Sequence, residues 1–234
     1  MKIKHILIQF DNELHFCQLP LLRGAIIKLS DDDSLYHNHT ETGFSYRYPL
    51  IQYRQQNGRA ALWAAEEGVD HLQRIFDAGN AKVRLGEVEL LLEVSRVLPF
   101  QTLVQVWNGT FNYHLRRWLP FNAENYGLYV SQPSAAEKIH ILERILVGNI
   151  LSMCKGLGVT IDKAIECVIT QVSEPRKERF KGISLMGFDI NFVSNITLPP
   201  FVGLGKGLSL GFGVCTIIHE QKTNTDTYDR QKPE

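Results

Sequence analysis

A chain of 234 residues exceeds one domain of about 100 to 150 residues, so two domains of ordinary size are expected, each able to bury its own core. An apolar fraction of 44% and a charged fraction of 21% exclude a disordered chain, and a formal net charge of zero argues against a protein that coats nucleic acid by bulk charge, while leaving room for a local basic patch. Met1 to Phe10 holds no secretion signal, no apolar run reaches the roughly 20 residues that span a bilayer, and Cys17, Cys154, Cys167 and Cys215 form no CxxC pair, so a cytoplasmic protein away from membranes, without zinc ribbon or disulfide framework, is expected.

The chain opens with alternating residues over 2–10, the period of a strand. Leu19, Leu22, Ile26 and Leu29 then recur at helical spacing after Pro20. Residues 30–43 are a polar loop with three aspartates, Tyr36, His37, Asn38 and His39. A Tyr- and Ile-rich stretch to Gln56 runs into Asn57-Gly58, the residue pair a two-residue hairpin favours, and 59–65 returns as the partner strand. Val69, Leu72, Ile75 and Phe76 mark a second helix before Gly79, and residues 88–94 read as a strand. Strand, helix, strand, strand, helix, strand is the order of a ferredoxin-like unit.

Beyond Pro99 a strand over 102–107, a turn at Asn108-Gly109 and a returning strand over 113–119 are predicted. Ser134 with Glu137 forms a capping box ahead of Ile139, Leu142, Leu146, Ile150 and Met153, one face of a helix closed by Gly156 or Gly158. Residues 164–172 and 182–193 read as strands joined by a basic loop holding Arg176, Lys177, Arg179 and Lys181, and 211–218 as the last strand. The fold expected is α+β, two tandem ferredoxin-like (βαββαβ, RRM-like) domains over 1–105 and 106–220, with a polar tail at 221–234.

Two motifs carry chemistry. Gly203, Gly205, Gly207, Gly211 and Gly213 fall in a G-h-G, five residues, G-h-G pattern, where h is apolar. Glycines admit positive φ and close approach to amides, which can form an anion nest, and Lys206 and Ser209 add a cation and a hydroxyl suited to phosphate oxygens. A nucleotide P-loop needs Ser or Thr after Gly-Lys and then a helix, and a Rossmann turn also needs a helix; apolar strand residues follow here instead. In the second motif, His37 and His39 lack the further paired ligands a metal site needs, so no metal and no cofactor is expected.

The glycine pattern with a duplicated ferredoxin-like layout resembles the CRISPR-associated endoribonucleases of the RAMP superfamily, which cut precursor CRISPR RNA within its repeats. Leu19-Pro-Leu-Leu-Arg-Gly-Ala-Ile26, His37-Asn-His39 and Tyr46-Arg-Tyr-Pro-Leu-Ile-Gln-Tyr53 resemble the b-type branch of that family. The resemblance implies metal-independent cleavage by the ribose 2′-hydroxyl, giving a 2′,3′-cyclic phosphate and a 5′-hydroxyl. It implies His37 and His39 as acid and base in unassigned order, Tyr46 as a group that orients the 2′-hydroxyl or a phosphate oxygen, and Lys28 as a source of positive charge. The glycine loop with Lys206 and the basic residues from Arg176 to Lys181 would hold the repeat transcript by its backbone. A second copy of the chain and a CRISPR effector complex are further partners it leaves open. Two-histidine phosphodiesterases, which need His-x-Thr or His-x-Ser twice, do not fit: no such pair is present. The alternative from another class is a non-catalytic RAMP-type RNA-binding subunit, because the glycine motif is shared by members that bind RNA without cutting it.

Overall fold

The computed structural model describes residues 1–29, 48–76 and 81–218, together with the backbone at 39–40 and 43–44. The first half contains β1 (Lys2–Glu13), α1 (Leu19–Leu29), the short strands β2 (His39–Thr40) and β3 (Gly43–Phe44), β4 (Ile51–Gln56), β5 (Arg59–Ala65), α2 (Glu67–Phe76), β6 (Ala81–Leu85), β7 (Val88–Leu92) and β8 (Val94–Leu103). The second contains β9 (Val106–Trp118), α3 (Ala123–Ser131), α4 (Ala135–Gly156), β10 (Cys167–Val172), β11 (Arg176–Phe180), β12 (Ile183–Ile196) and β13 (Val214–Ile217). No helix among the described residues is long and apolar enough to cross a membrane.

The two halves repeat one topology. The first sheet runs β4-β5-β1-β8 and the second β10-β12-β9-β13, each in the order second, third, first, fourth strand, with every pair antiparallel. Both are ferredoxin-like. The hairpin between β4 and β5 turns on Asn57 and Gly58 with φ of 51° and 80°, the left-handed pair such a turn requires. Pro99 sits on β8, an edge strand of its sheet, where a missing amide costs no ladder bond. The capping box of α4 forms as its sequence predicts: Ser134 Oγ accepts from the Glu137 amide at 3.2 Å and the Glu137 carboxylate accepts from the Ser134 amide at 3.3 Å.

Three expectations from the sequence are corrected. The fourth strand of the first sheet is β8, not residues 88–94; Val88–Leu92 pairs locally with Ala81–Leu85 across a two-residue turn, an inserted hairpin whose β6 buries Ala81, Val83 and Leu85. Asn108-Gly109 makes no turn: neither has positive φ, and β9 runs straight through them. The basic segment is not a loop either, because Lys181 and Gly182, with φ of 49° and 83°, turn Arg176–Phe180 back onto β12. In the second sheet the link between third and fourth strands holds no α-helix; residues 197–213 carry the glycine motif and one 3-10 turn, Leu208–Leu210.

Alternation along β1 shows why the halves dock. Ile6, Ile8 and Phe10 face α1 and α2, whereas Ile3, His5 and Leu7 point to the opposite face. Ile3, Leu7, Ala61 and Trp63 belong to one core with Leu115, Trp118 and Phe192 of the second sheet and Leu142, Leu146 and Ile150 of α4. The first sheet is thus buried on both faces, and after the exposed Arg59 β5 reads Ala-Ala-Leu-Trp-Ala-Ala, buried throughout.

Candidate functional site

The glycine loop is wedged into the seam between the halves. Its 3-10 turn packs on β4 and α1, and Leu210 reaches the core beneath the helices of the first sheet. Gly205, Gly207, Gly211 and Gly213 all have positive φ, between 61° and 85°. A Cβ on Gly211 would lie 2.8 Å from the Leu19 side chain, and one on Gly213 would lie 1.8 Å from the Leu204 carbonyl oxygen. Many of the loop's amides are committed internally: Leu204 donates to Gly213, Lys206 to Leu119, Leu210 to Gly207 and Gly213 to Arg117. The motif read as a phosphate nest is, in its backbone, first a packing joint.

Around Gly203 a closed polar network forms. Gln52, fully buried on β4, accepts the Gly203 amide on Oε1 at 3.0 Å and donates through Nε2 to the Tyr48 hydroxyl at 3.0 Å. Tyr48 in turn donates to the Gly203 carbonyl at 2.7 Å, and burial raises its pKa well above the ordinary value, which keeps that proton in place. Both polar groups of Gly203 are therefore held, the amide by Gln52 on β4 and the carbonyl by Tyr48 just before it. Arg54, one turn of the pleat further on, donates Nη2 to Gln52 Oε1 and lies 5.6 Å from the Trp63 ring centre. Burial pushes its guanidinium down to about 9, which still leaves it charged at neutral pH, and its Nε and Nη1 have no hydrogen-bond partner among the described residues.

A second joint is cationic. Arg117 stacks over Phe16 at 3.4 Å and faces Phe212 at 5.4 Å, while its Nε donates to Glu178 at 3.2 Å. Phe180 on β11 meets Phe212 edge-on at 5.7 Å, so the basic strand and the glycine loop are brought together. Along β11, Arg176 pairs with Asp189, and Lys177 and Arg179 are exposed, as is Lys181 in the turn that follows. Lys206 is exposed, and Ser209 is half-buried within the 3-10 turn.

His37 and Tyr46 lie outside the described residues, as does the side chain of His39, whose backbone forms β2 paired with β3. Lys28 is exposed in the last turn of α1. The histidine segment therefore leaves from the end of α1 and re-enters the described chain at Tyr48, the residue bonded to Gly203. Sequence reasoning gave no role to Gln52, Arg54 or Arg117. Alternation in Ile51-Gln52-Tyr53-Arg54 does place the two polar residues on one face, but only docking of the second half shows that this face is buried.

The family model for the Cas6b N-terminal domain matches residues 1–100, and that for the Cas6b C-terminal domain matches 105–218. An uncharacterised protein of Methanocaldococcus jannaschii is 34% identical over 103 residues, 44% of this chain and 69% of its own length. A crystal structure of Cas6b superimposes with a TM-score of 0.82 at 26% identity, over 93% of this chain and all of the other. A second, described as the CRISPR RNA processing endoribonuclease Cas6b, gives 0.71 at 25% over the same shares. The type IV Cas6 enzyme Csf5, at 13% identity and a TM-score of 0.56 over 93% of this chain and all of its own, shares the fold. Matched in both halves and across the seam that joins them, the chain belongs to the Cas6b family.

Proposed function

We propose that this chain is an endoribonuclease that cuts CRISPR repeat RNA without a metal ion. The observation that carries the reading is the likeness of both halves to Cas6b, including a solved Cas6b described as processing CRISPR RNA. Residues 1–105 supply the cutting groups and 106–220 the RNA grip.

In the reaction the 2′-hydroxyl gives its proton to one imidazole of His37 and His39 as its oxygen attacks the neighbouring phosphorus. The bond to the 5′-oxygen breaks, and the other imidazole protonates that leaving oxygen. Products are a 2′,3′-cyclic phosphate and a 5′-hydroxyl. Histidine suits both transfers because its ordinary pKa of about 6.5 lies near neutrality, and each positioned acid or base contributes about a hundredfold to ten-thousandfold. Tyr46 orients the nucleophile or a phosphate oxygen, and Lys28 offsets charge on the crowded phosphorane. Lys206, Ser209, the basic strand bearing Arg176, Lys177 and Arg179, and Lys181 in the turn after it hold the backbone, with the glycines letting it approach.

The test is incubation of the protein with repeat RNA in EDTA. Cleavage is expected to persist, to leave a cyclic phosphate, and to stop when the nucleotide at the cut carries a 2′-deoxyribose. The H37A/H39A double variant is expected to bind RNA and lose at least a thousandfold in single-turnover rate. Cleavage that requires magnesium, or full activity of that variant, overturns the mechanism.

A further inference from the structure

On the outer side of the basic strand lies a trough of about 730 Å³, between the start of α3 and the β11–β12 hairpin. Its lining is mostly apolar, with Phe121, Tyr126, Ile183 and Met186 beside Asn122 and Ser184, and Tyr126 is 44% and Ile183 56% exposed. Arg176, paired with Asp189, and Lys177 and Lys206 line it as well, and no carboxylate lines it among the described residues. A chain with as many acidic as basic residues has therefore gathered only cations here. The adjoining groove of about 480 Å³ shares Phe121 and Lys206 with the trough and adds Arg144, so the cationic path continues past the pocket.

An occupant must combine a flat apolar body with negative charge at its edge. A nucleotide does so, and apolar or aromatic walls beside lysines are how single-stranded bases are held, the ring on side chains and the phosphates on cations. An apolar protein segment would satisfy the floor but leave the lysines opposite no charge. We propose that the trough receives one unpaired base of the bound RNA, stacked on Tyr126, with the flanking phosphates on Lys177 and Lys206. This deepens the RNA-cutting reading and rests on it for the substrate class; the stacking itself is a separate claim.

The two are separated by measuring binding and cleavage together. Repeat RNAs each carrying a single 2-aminopurine are titrated with the wild type, with Y126A, and with A123W, whose indole would fill the trough from α3. One position is expected to change fluorescence on binding to the wild type and to stop responding in both variants, with affinity about tenfold weaker. An RNA abasic at that position is expected to bind all three proteins alike. Wild-type-like affinity and an unaltered 2-aminopurine profile in Y126A and A123W overturn the trough while EDTA-resistant cleavage keeps the nuclease. Loss of cleavage with the base signal intact does the reverse. A trough that instead captures a protein segment gives equal RNA binding in all three, which also counts against the proposal; matching melting curves guard against misfolding in A123W, and Y126A alters an already exposed side chain.

Discussion

The two sheets share a strand order but solve the link from third to fourth strand differently. In the first, α2 lays Val69 and Leu72 on its own sheet, and the link serves the domain that contains it. In the second, residues 201–204 run beside β13 of their own sheet, and the link then puts Leu210 and Gly211 against α1 and β4 of the other half. Trp63 Nε1 donating to Pro200 at 3.1 Å and Arg116 donating to Gln55 at 3.1 Å fasten the same seam. A helix replaced by a glycine loop thus converts an intradomain cover into an interdomain joint, and the cost of altering it should exceed that of altering an ordinary turn.

The largest effect is expected for Gly213→Ala. Positive φ alone costs an L-residue about 1 to 2 kcal/mol, and the added methyl would stand 1.8 Å from a backbone oxygen that cannot swing away. We expect about 4 kcal/mol lost in urea unfolding, from the backbone conformation and the forced shift together.

Next comes Gln52→Leu, a similar volume without the amide. It leaves the Gly203 amide and Arg54 Nη2 without their acceptor inside a buried seam, where an orphaned group costs about 1 to 3 kcal/mol and a buried cation more. A fall of about 3 kcal/mol is expected, and with it a slower cleavage rate, since Tyr48 at the end of the histidine segment loses its donor. A melting midpoint equal to the wild type would show that the network is incidental to docking.

The seam should also respond to acid. His5 is buried beside Trp63 and stacked on Phe100, and burial lowers its pKa to about 4 from an ordinary 6.5. The folded state therefore resists a proton that the unfolded chain accepts. Stability contributed by keeping His5 neutral is complete above pH 6.5 and is lost as pH falls toward 4, by up to about 3 kcal/mol. His5→Gln should flatten that limb of the stability curve; an unchanged slope would remove His5 as its cause.

What the sequence could say about this joint is uneven, for physical reasons. The hairpin at Asn57-Gly58 and the capping box at Ser134 and Glu137 are local and were readable, because each depends on neighbours in the chain. Helix α3 was not: it buries no residue fully, so its apolar pattern carries no signal beyond the Asn122 cap, which accepts from the Asn125 amide. The glycine spacing is visible in the sequence, but spacing alone does not show that Leu204 and Leu210 donate within the loop and Lys206 and Gly213 to Leu119 and Arg117. Gln52 and Arg54 share one face by alternation, but their burial depends on the second half, where Gly203 lies 151 residues from Gln52 in the chain.

Gly58→Ala makes the smallest change and isolates one term of the comparison. Gly58 has φ of 80°, in the same left-handed region as Gly213, yet a Cβ there would meet nothing within 4 Å. Its substitution therefore pays only for backbone conformation, about 1 kcal/mol. Subtracting that loss from the loss in Gly213→Ala measures what close packing adds at the seam. Equal losses at the two sites would mean that the loop can relax away from Leu204, and that its glycines are kept for left-handed backbone alone and not for close packing at the seam.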